Sequence, residues 1–171
     1  NWKLNGSREF NHQWAIEFFR NLSGNNFSSL GIAPASLYID HLKHVMVDYD
    51  IKIGSQNIDL EETGARTGEI SASMIKDLGC AFCIVGHSER RILFYETNQM
   101  ICQKLIQADN NSIIPILCVG ESAEENKSNE TFKVLEHQLI EALEGADELS
   151  SLIIAYEPVW AIGSGKTPNP E

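Results

Sequence analysis

The sequence predicts an α/β fold in which short strands form a parallel sheet covered by helices. Short apolar runs alternate with amphipathic stretches about every 20 to 40 residues, the pattern of repeated strand–helix units. Polar residues and glycines cluster where the apolar runs end. In parallel α/β proteins this strand edge carries the chemistry. The pattern fits either a doubly wound sheet or part of a (β/α)8 barrel.

Each apolar run and each amphipathic stretch is assigned to one element. The predicted strands are residues 30–34, 51–56, 81–86, 113–119 and 152–156, and residues 1–3 have the character of the tail of an earlier strand, which makes six. The predicted helices are residues 8–20, 37–47, 72–78, 98–108 and 131–143. An apolar stripe marks the last helix, at Phe132, Leu135, Leu139 and Leu143. A capping box at 122–125 starts a further helical segment, which polar residues 126–129 interrupt.

Composition excludes several classes of protein. The 171 residues carry a formal net charge of -11, with 43% hydrophobic and 22% charged residues. Nonspecific nucleic-acid binding requires clustered Lys and Arg, so we expect no nucleic-acid partner. No apolar run approaches the length of a membrane span, so we expect no membrane partner. We expect one domain over residues 1–171.

Both ends of the chain have the character of a fragment. The first residue is Asn1 rather than Met, and residues 169–171 resemble the start of a new helix. We therefore expect the natural protein to extend beyond the sequence on both sides. Any targeting segment would lie outside these residues.

The cysteines and most histidines predict no metal site. Cys80 and Cys83 have the C-x-x-C spacing, but on a strand residues three apart point to opposite faces. Reduced, buried thiols in a cytoplasmic protein are the better interpretation. His41 and His44 share a helix face without an evident third ligand and are interpreted as surface residues, as are His12 and His137.

A carboxylate followed by a glycine-rich loop ends the last apolar run. Glu157 is a candidate general base, because shielding from water makes a carboxylate more basic. Pro158 stiffens the exit from the strand. Gly163 and Gly165 can bring backbone N–H groups against an anion, and Ile162 can cap an apolar lid. The combination predicts acid–base chemistry on a small phosphorylated molecule.

Two further strand ends supply an imidazole and an ammonium. His87 lies where a helix N-terminus disfavours the imidazolium, so a neutral ring can hydrogen-bond a substrate carbonyl and stabilise an enediolate. Lys3 offers positive charge to a phosphate and a developing oxyanion, and Asn1 can orient Lys3 or contact the substrate. In a closed barrel, Lys3, His87 and Glu157 would face one mouth.

Five motifs together resemble the triosephosphate isomerase family. They lie at residues 1–6 (NWKLNG), 64–71 (GARTGEIS), 85–91 (VGHSERR), 118–121 (CVGE) and 155–166 (AYEPVWAIGSGK). They follow the family's order and span nearly the whole chain. The resemblance implies a (β/α)8 barrel, incomplete here with about six of its eight strand–helix units. It also implies an isomerase that interconverts dihydroxyacetone phosphate and D-glyceraldehyde 3-phosphate in glycolysis and gluconeogenesis, without metal or organic cofactor.

The resemblance assigns roles to individual residues. Glu157 would move the proton between carbons, neutral His87 would polarise the carbonyl, and Lys3 would complete the catalytic set. Asn1, Lys3 and Gly163 would bind substrate, with Glu89 and Ser88 in support. A closing lid is implied over Pro158, Val159, Trp160, Ala161, Ile162, Gly163, Ser164, Gly165 and Lys166, within residues 158–168.

The resemblance also implies a homodimer, in which Thr67 reaches the active site of a second copy. Two lid positions depart from the family: Ser164 stands where threonine is common, and Pro168 where a small residue is usual. Strands seven and eight are absent from the sequence, together with the glycine-rich loops that complete the phosphate site. We therefore expect the 171-residue segment, expressed alone, to be inactive and poorly folded.

Three alternatives remain. Another barrel enzyme acting on a different sugar phosphate would share the base and glycine lid, but it has no reason to combine Lys3, His87 and Glu157. A non-catalytic truncated barrel would serve only in binding or structure. A doubly wound nucleotide-binding domain is disfavoured, because no G-x-G-x-x-G follows the first strand.

Overall fold

A computed structural model of the chain describes residues 1–22, 29–146, 148–165 and 167–168. In this part of the chain five parallel strands form one sheet in sequence order, β1 to β5. The strands are β1 (Gly31–Ile32), β2 (Lys52–Ser55), β3 (Phe82–Val85), β4 (Ile114–Val119) and β5 (Ile153–Tyr156). Residues 169–171, where the sequence predicts the start of a new helix, lie outside the described residues.

Helices connect the strands. The α-helices are α1 (Arg8–Leu22), α2 (Ile39–Val45), α3 (Ala72–Asp77), α4 (Ser88–Leu93), α5 (Asn98–Asn110), α6 (Ala123–Lys127) and α7 (Thr131–Leu143), with 3-10 turns at Ser36–Tyr38 and Val159–Ala161. Ser122 and Glu125 form the predicted capping box of α6. The helix ends at Lys127 and Asn129 adopts a left-handed φ of 56°, so the predicted interruption is confirmed.

The sheet is curved, with its helices on the convex side. Its concave face encloses a cavity of about 550 Å³ lined by residues from all five strands and by no described helix residue. Strand order that follows the sequence without reversal is the order of a barrel, whereas a doubly wound sheet reverses at a switch point. The predicted incomplete (β/α)8 barrel is therefore confirmed, and the doubly wound alternative is excluded.

Most of the buried core lies between the convex face and the helices. Alternate strand residues point into this layer, where they meet the apolar stripes of the helices. The fully buried side chains include Ile39, Leu42, Ile75, Val85, Ile101, Leu105, Ile113 and Leu117. This layer holds the strand ends at fixed positions, which is what a site at those ends requires.

Phe82 fills part of the concave face. Its ring lies against the backbone of Gly31 on β1 and Gly54 on β2, so closely that a Cβ at either glycine would collide with it. A smaller cluster, Ala33, Ile84 and Cys118, surrounds it. The barrel interior here combines one large side chain with two residues that have none.

The predicted strand at Asn1–Lys3 is not formed. Among the described residues, the only backbone–backbone hydrogen bond between this segment and the end of β1 runs from Trp2 N–H to Ala33 O, at 2.9 Å. Lys3 leaves the extended conformation, with φ of 52°, and this ends any ladder. The segment nevertheless lies beside the end of β1, which is where a preceding strand would place it.

Apolar residues in two elements are more exposed than their sequence patterns indicate. Ile153 and Ile154 of β5 are about half exposed, although an uninterrupted apolar run is typical of a buried strand. β5 is the last strand of the described sheet, so neither its outer edge nor its faces are fully covered. Phe132 is 88% exposed because it lies in the first turn of α7, whereas Leu135, Leu139 and Leu143 pack against the core as predicted.

Asn11 of α1 offers a test of the packing. Its side chain is fully buried, and within the described residues neither amide atom has a hydrogen-bond partner. Leucine has the same branched shape without the polar atoms, so we expect Asn11→Leu to raise the free energy of unfolding by about 1–2 kcal/mol. Urea unfolding measures this, with exposed His12→Leu as the control. A lower stability of Asn11→Leu than of the wild type would contradict it.

No helix in the described part of the chain is long and apolar enough to cross a membrane.

Candidate active site

The carboxyl ends of the strands bring together three of the predicted residues. His87 follows β3 by two residues, and Glu157 follows β5 directly. Lys3 lies beside β1 through the bond from Trp2 to Ala33. A carboxylate, an imidazole and an ammonium from three distant parts of the chain therefore share one edge of the sheet, as the sequence predicted.

His87 and Glu157 are in direct contact. Nε2 of His87 lies 3.1 Å from Oε2 of Glu157. On the other side of the ring, the backbone N–H of Glu89 donates to Nδ1, at 3.2 Å. Because Nδ1 accepts, it carries no proton, and the ring is the neutral tautomer with its proton on Nε2. The first turn of α4 thus selects a ring that can donate one hydrogen bond at the site.

The Glu157 carboxylate has two donors in this conformation. Its Oε1 accepts from the backbone N–H of Ser88 at 2.8 Å, and its Oε2 faces the imidazole proton of His87. The side chain is 21% exposed and His87 is 9% exposed. The carboxylate is therefore partly buried and held by two donors at the sheet edge.

Lys3 is held at the site by its backbone and by Glu89. Its positive φ is rare for a residue with a side chain, and such strain persists only where neighbours enforce it. Asn1 Oδ1 accepts from its N–H at 3.0 Å, and Gln56 donates to its carbonyl at 3.0 Å. Its Nζ lies 2.6 Å from Glu89 Oε1. The ammonium is therefore held beside the cluster by its ion pair with Glu89.

The lid segment stands away from this cluster. Pro158 is buried and the 3-10 turn Val159–Ala161 follows it, whereas Ile162, Gly163, Ser164 and Gly165 are exposed. A Cβ at Gly163 would meet no atom within 4 Å. The structure therefore does not bring Gly163 to the other site residues. Lys166 lies outside the described residues, and Thr167 and Pro168 are exposed.

Sequence reasoning gave no role to Glu121, which anchors the base of the lid. The carboxylate is fully buried and accepts from Trp160 Nε1 at 2.8 Å and from the Tyr156 hydroxyl at 3.2 Å. The Asn126 side chain donates to the Glu121 carboxylate at 3.0 Å, and the backbone carbonyl of Glu121 accepts from Val159 N–H. Its position two residues after β4, at the same sheet edge as His87 and Glu157, was the available signal.

The loop that carries Thr67 projects into solvent. Residues 63–69 are exposed, and a Cβ at Gly64 or Gly68 would meet nothing within 4 Å. The loop is nevertheless held at its base, where Asp59 forms an ion pair with Arg66 at 2.6 Å and accepts from Glu61 N–H at 2.8 Å. Thr67 is therefore exposed to solvent, while Gly68 and Glu69 border the cavity beside Lys3 and His87.

The four cysteines are buried and none of them is in a disulfide, as predicted, and the Cys102 thiol donates to Glu144 O at 3.1 Å. Burial raises the pKa of Cys80 to about 11 and those of Cys83 and Cys118 to about 12. Among the described residues no group of three or more His, Cys, Asp or Glu side chains is placed to hold a metal ion. His44 bonds the Asp40 carbonyl of its own helix, and His137 pairs with Glu141, both at the surface.

The raised thiol pKa values predict low reactivity. Below the ordinary pKa of 9.0 these thiols are protonated in both states. Above it the unfolded chain releases protons that the folded chain retains, so their contribution to stability falls as the pH rises towards 11 and 12. We expect Cys80, Cys83 and Cys118 to resist Ellman's reagent at pH 8 and to react within minutes in urea. Rapid modification of the folded protein, mapped by mass spectrometry, would contradict this.

A parallel barrel sheet with a carboxylate and an imidazole at its strand ends and an ammonium beside them is typical of (β/α)8-barrel enzymes that carry out acid–base chemistry. The sequence model of the family described as triosephosphate isomerase matches residues 1–171. The chain belongs to the triosephosphate isomerase family.

Curated relatives agree with this assignment. The triosephosphate isomerase of Nitrosococcus oceani is 42% identical over 173 residues, covering 100% of this chain and 69% of the relative. Those of Erwinia tasmaniensis and Escherichia coli are 40% and 41% identical, each over 99% of this chain and 68% of the relative.

Proposed function

We infer that the protein is a triose-phosphate isomerase, which interconverts dihydroxyacetone phosphate and D-glyceraldehyde 3-phosphate in glycolysis and gluconeogenesis. The single observation that carries the mechanism is the cluster of Lys3, His87 and Glu157 at one sheet edge in a chain of this family. The reaction moves a proton between adjacent carbons and passes through an enediolate. A base, a neutral hydrogen-bond donor and a positive charge meet its needs without metal or organic cofactor.

Each residue has a separate role in this proposal. Glu157 leaves its bonds to Ser88 and His87 when substrate enters, removes the proton from one carbon and returns it to the next. His87 turns its Nε2–H to the substrate oxygens, where it stabilises the enediolate, gives its proton to the former carbonyl oxygen and takes one back from the former hydroxyl oxygen. Lys3 exchanges its pairing with Glu89 for the substrate phosphate and the developing oxyanion, and Asn1 keeps its backbone in place.

The lid completes the site in this proposal. Residues 158–168 close over bound substrate, and the N–H of Gly163 joins the phosphate. Two features support this. Gly163 and Gly165 at the exposed tip of the segment have left-handed φ values of 67° and 71°, with open space around them. The start of the segment is held in place by the hydrogen bond from Trp160 to Glu121. Closure would exclude water, which protects the enediolate from losing phosphate.

The test is isomerase activity of the full-length protein on glyceraldehyde 3-phosphate, followed as dihydroxyacetone phosphate formation, with and without EDTA. We expect turnover that EDTA leaves unchanged. A protein that folds but does not convert this substrate would reject the function. Conversion of a different sugar phosphate in its place would favour the other barrel enzymes considered above.

We also propose that the protein is a homodimer. The support is the outward Thr67 loop together with a cavity of about 530 Å³ beside Lys3 and His87, bordered by exposed Leu4 and Phe94. A second copy would insert its Thr67 loop there and cover these apolar side chains. We place the protein in the cytoplasm, because none of its four cysteines is in a disulfide.

Sedimentation velocity of the full-length protein tests the dimer. We expect twice the mass of one chain for the wild type and for Ser128→Arg, which lies in another exposed turn. Thr67→Arg places a charge at the loop tip and should yield monomers at micromolar concentration. A wild-type monomer, or an undisturbed Thr67→Arg dimer, would reject this arrangement.

A further inference from the structure

Gln138 of α7 binds both backbone polar groups of one residue, Gly120, beside the candidate base. Its Oε1 accepts from Gly120 N–H at 2.9 Å, and its Nε2 donates to Gly120 O at 3.0 Å. One side-chain amide therefore satisfies both backbone groups of one residue and fixes the orientation of its backbone. Gln138 is part-buried, and its neighbours Leu135 and Leu139 pack against the core, so the amide extends from a firmly seated helix.

Gly120 in turn carries the backbone of Glu157. The two backbones touch so closely that a Cβ at Gly120 would collide with the carbonyl of Glu157. On either side of this contact, Glu157 N–H donates to Val119 O at 2.8 Å and Val159 N–H donates to Glu121 O at 3.0 Å. These bonds use the edge of residues 119–121 that faces β5, whereas the N–H and C=O of Gly120 turn to α7. The backbone of Glu157 is therefore located through Gly120.

The carboxylate itself lacks such a fixed support. Its partners, Ser88 N–H and the His87 ring, belong to the site and are released when Glu157 engages the substrate. The place from which Glu157 moves must then be set by its backbone. Gln138, Gly120 and Glu157 border one cavity of about 170 Å³ behind the base.

We propose that Gln138 is a positioning residue for Glu157, acting through the backbone of Gly120. This inference rests on the proposed isomerase function, in which Glu157 is the base. Loss of the amide frees the two peptide groups that flank Gly120 and lets the backbone of Glu157 shift by a fraction of an ångström. A misplacement of about 1 Å can cost about 100-fold in rate, so a smaller shift should cost about tenfold. Ground-state binding by Lys3 is untouched.

The kinetic test compares Gln138→Met with Glu136→Met in the full-length protein. Both changes introduce the same side chain on α7, but Glu136 is exposed. We expect Gln138→Met to lower kcat about tenfold with KM within about twofold, and Glu136→Met to leave both unchanged. In a Glu157→Asp background, where the base is already displaced, Gln138→Met should lower kcat by less than about twofold more. An unchanged kcat, or losses that multiply in the double variant, would overturn the proposal.

Amide hydrogen exchange tests the same proposal without substrate. Gln138→Met should accelerate exchange at the backbone N–H groups of Glu157 and Val159. The N–H of Ala81, which donates to Ile53 O on β2, should stay protected. Unchanged protection at Glu157 and Val159 would overturn the positioning role. An inactive wild-type protein would instead reject the isomerase assignment, and the exchange rates would still decide whether Gln138 holds this backbone.

Discussion

Replacement of Glu157 by aspartate in the full-length protein is expected to lower kcat by about 100- to 1,000-fold with a small change in KM. The shorter side chain keeps the carboxylate but withdraws it by about one bond length from the substrate carbons. Proton transfer by a positioned base contributes about 100- to 10,000-fold to a rate, and a displacement of about 1 Å forfeits about 100-fold of it. Steady-state kinetics on glyceraldehyde 3-phosphate measures the loss.

The matched control is Glu136→Asp, the same change at an exposed position of α7. Urea unfolding of both variants shows whether the fold is kept, since Glu157 contributes hydrogen bonds to Ser88 and His87. A Glu157→Asp rate within threefold of the wild type would remove Glu157 from the role of base.

Replacement of Lys3 by alanine should reduce kcat/KM by about 100- to 1,000-fold, the range found when one donor to a developing oxyanion is removed. The ammonium serves the substrate phosphate and the transition state, so we expect KM to rise and kcat to fall together. Both Lys3 and Glu89 are partly exposed, so the folded state should tolerate the loss of their ion pair.

Lys127→Ala, at an exposed position, controls for the loss of one positive charge from a strongly acidic chain. Raising the salt concentration should raise the KM for phosphorylated substrate by a larger factor in the wild type than in Lys3→Ala, because salt screens the charge of Lys3. Equal kinetics of Lys3→Ala and the wild type would place Lys3 outside the site.

Elements defined by their own residues could be predicted from the sequence. α7 has the predicted bounds, and the predicted runs around β2 to β5 each contain the strand, because apolar periodicity and turn residues are local signals. The helix predicted at 37–47 is divided into a 3-10 turn and α2. β1 is shorter than predicted, with two residues.

Features set by neighbouring elements could not be predicted. The apolar run at Ile153–Tyr156 signals a strand, but its burial depends on what covers it. The segment at Asn1–Lys3 lies where a strand would lie, but the left-handed φ of Lys3 prevents a ladder. The left-handed conformation of Lys3 is stabilised by hydrogen bonds to Gln56 and Asn1. Gln56 is distant in sequence, and Asn1 lies in a segment without regular secondary structure, so neither bond could be predicted.

The candidate site shows the same division. His87 and Glu157 each follow an apolar run, so residue type and place predicted that they meet, whereas Lys3 was placed with them through a predicted strand that is not formed. Glu121 follows such a run too, but its value as an anchor is visible only once Trp160 and Tyr156 surround it. Gln138 stands in mid-helix with nothing in the sequence to mark it, since its partner is a glycine backbone 18 residues away.

The contact of Phe82 with Gly31 and Gly54 restricts how this barrel can change through evolution. A methyl group at either glycine meets the ring, so the first accepted substitution in the trio must shrink Phe82. That step leaves a void until one glycine acquires a side chain, and each intermediate is less stable than either end point. Descendants should therefore change two or three of these positions together, and homologous chains should show them as covarying columns shared by three neighbouring strands.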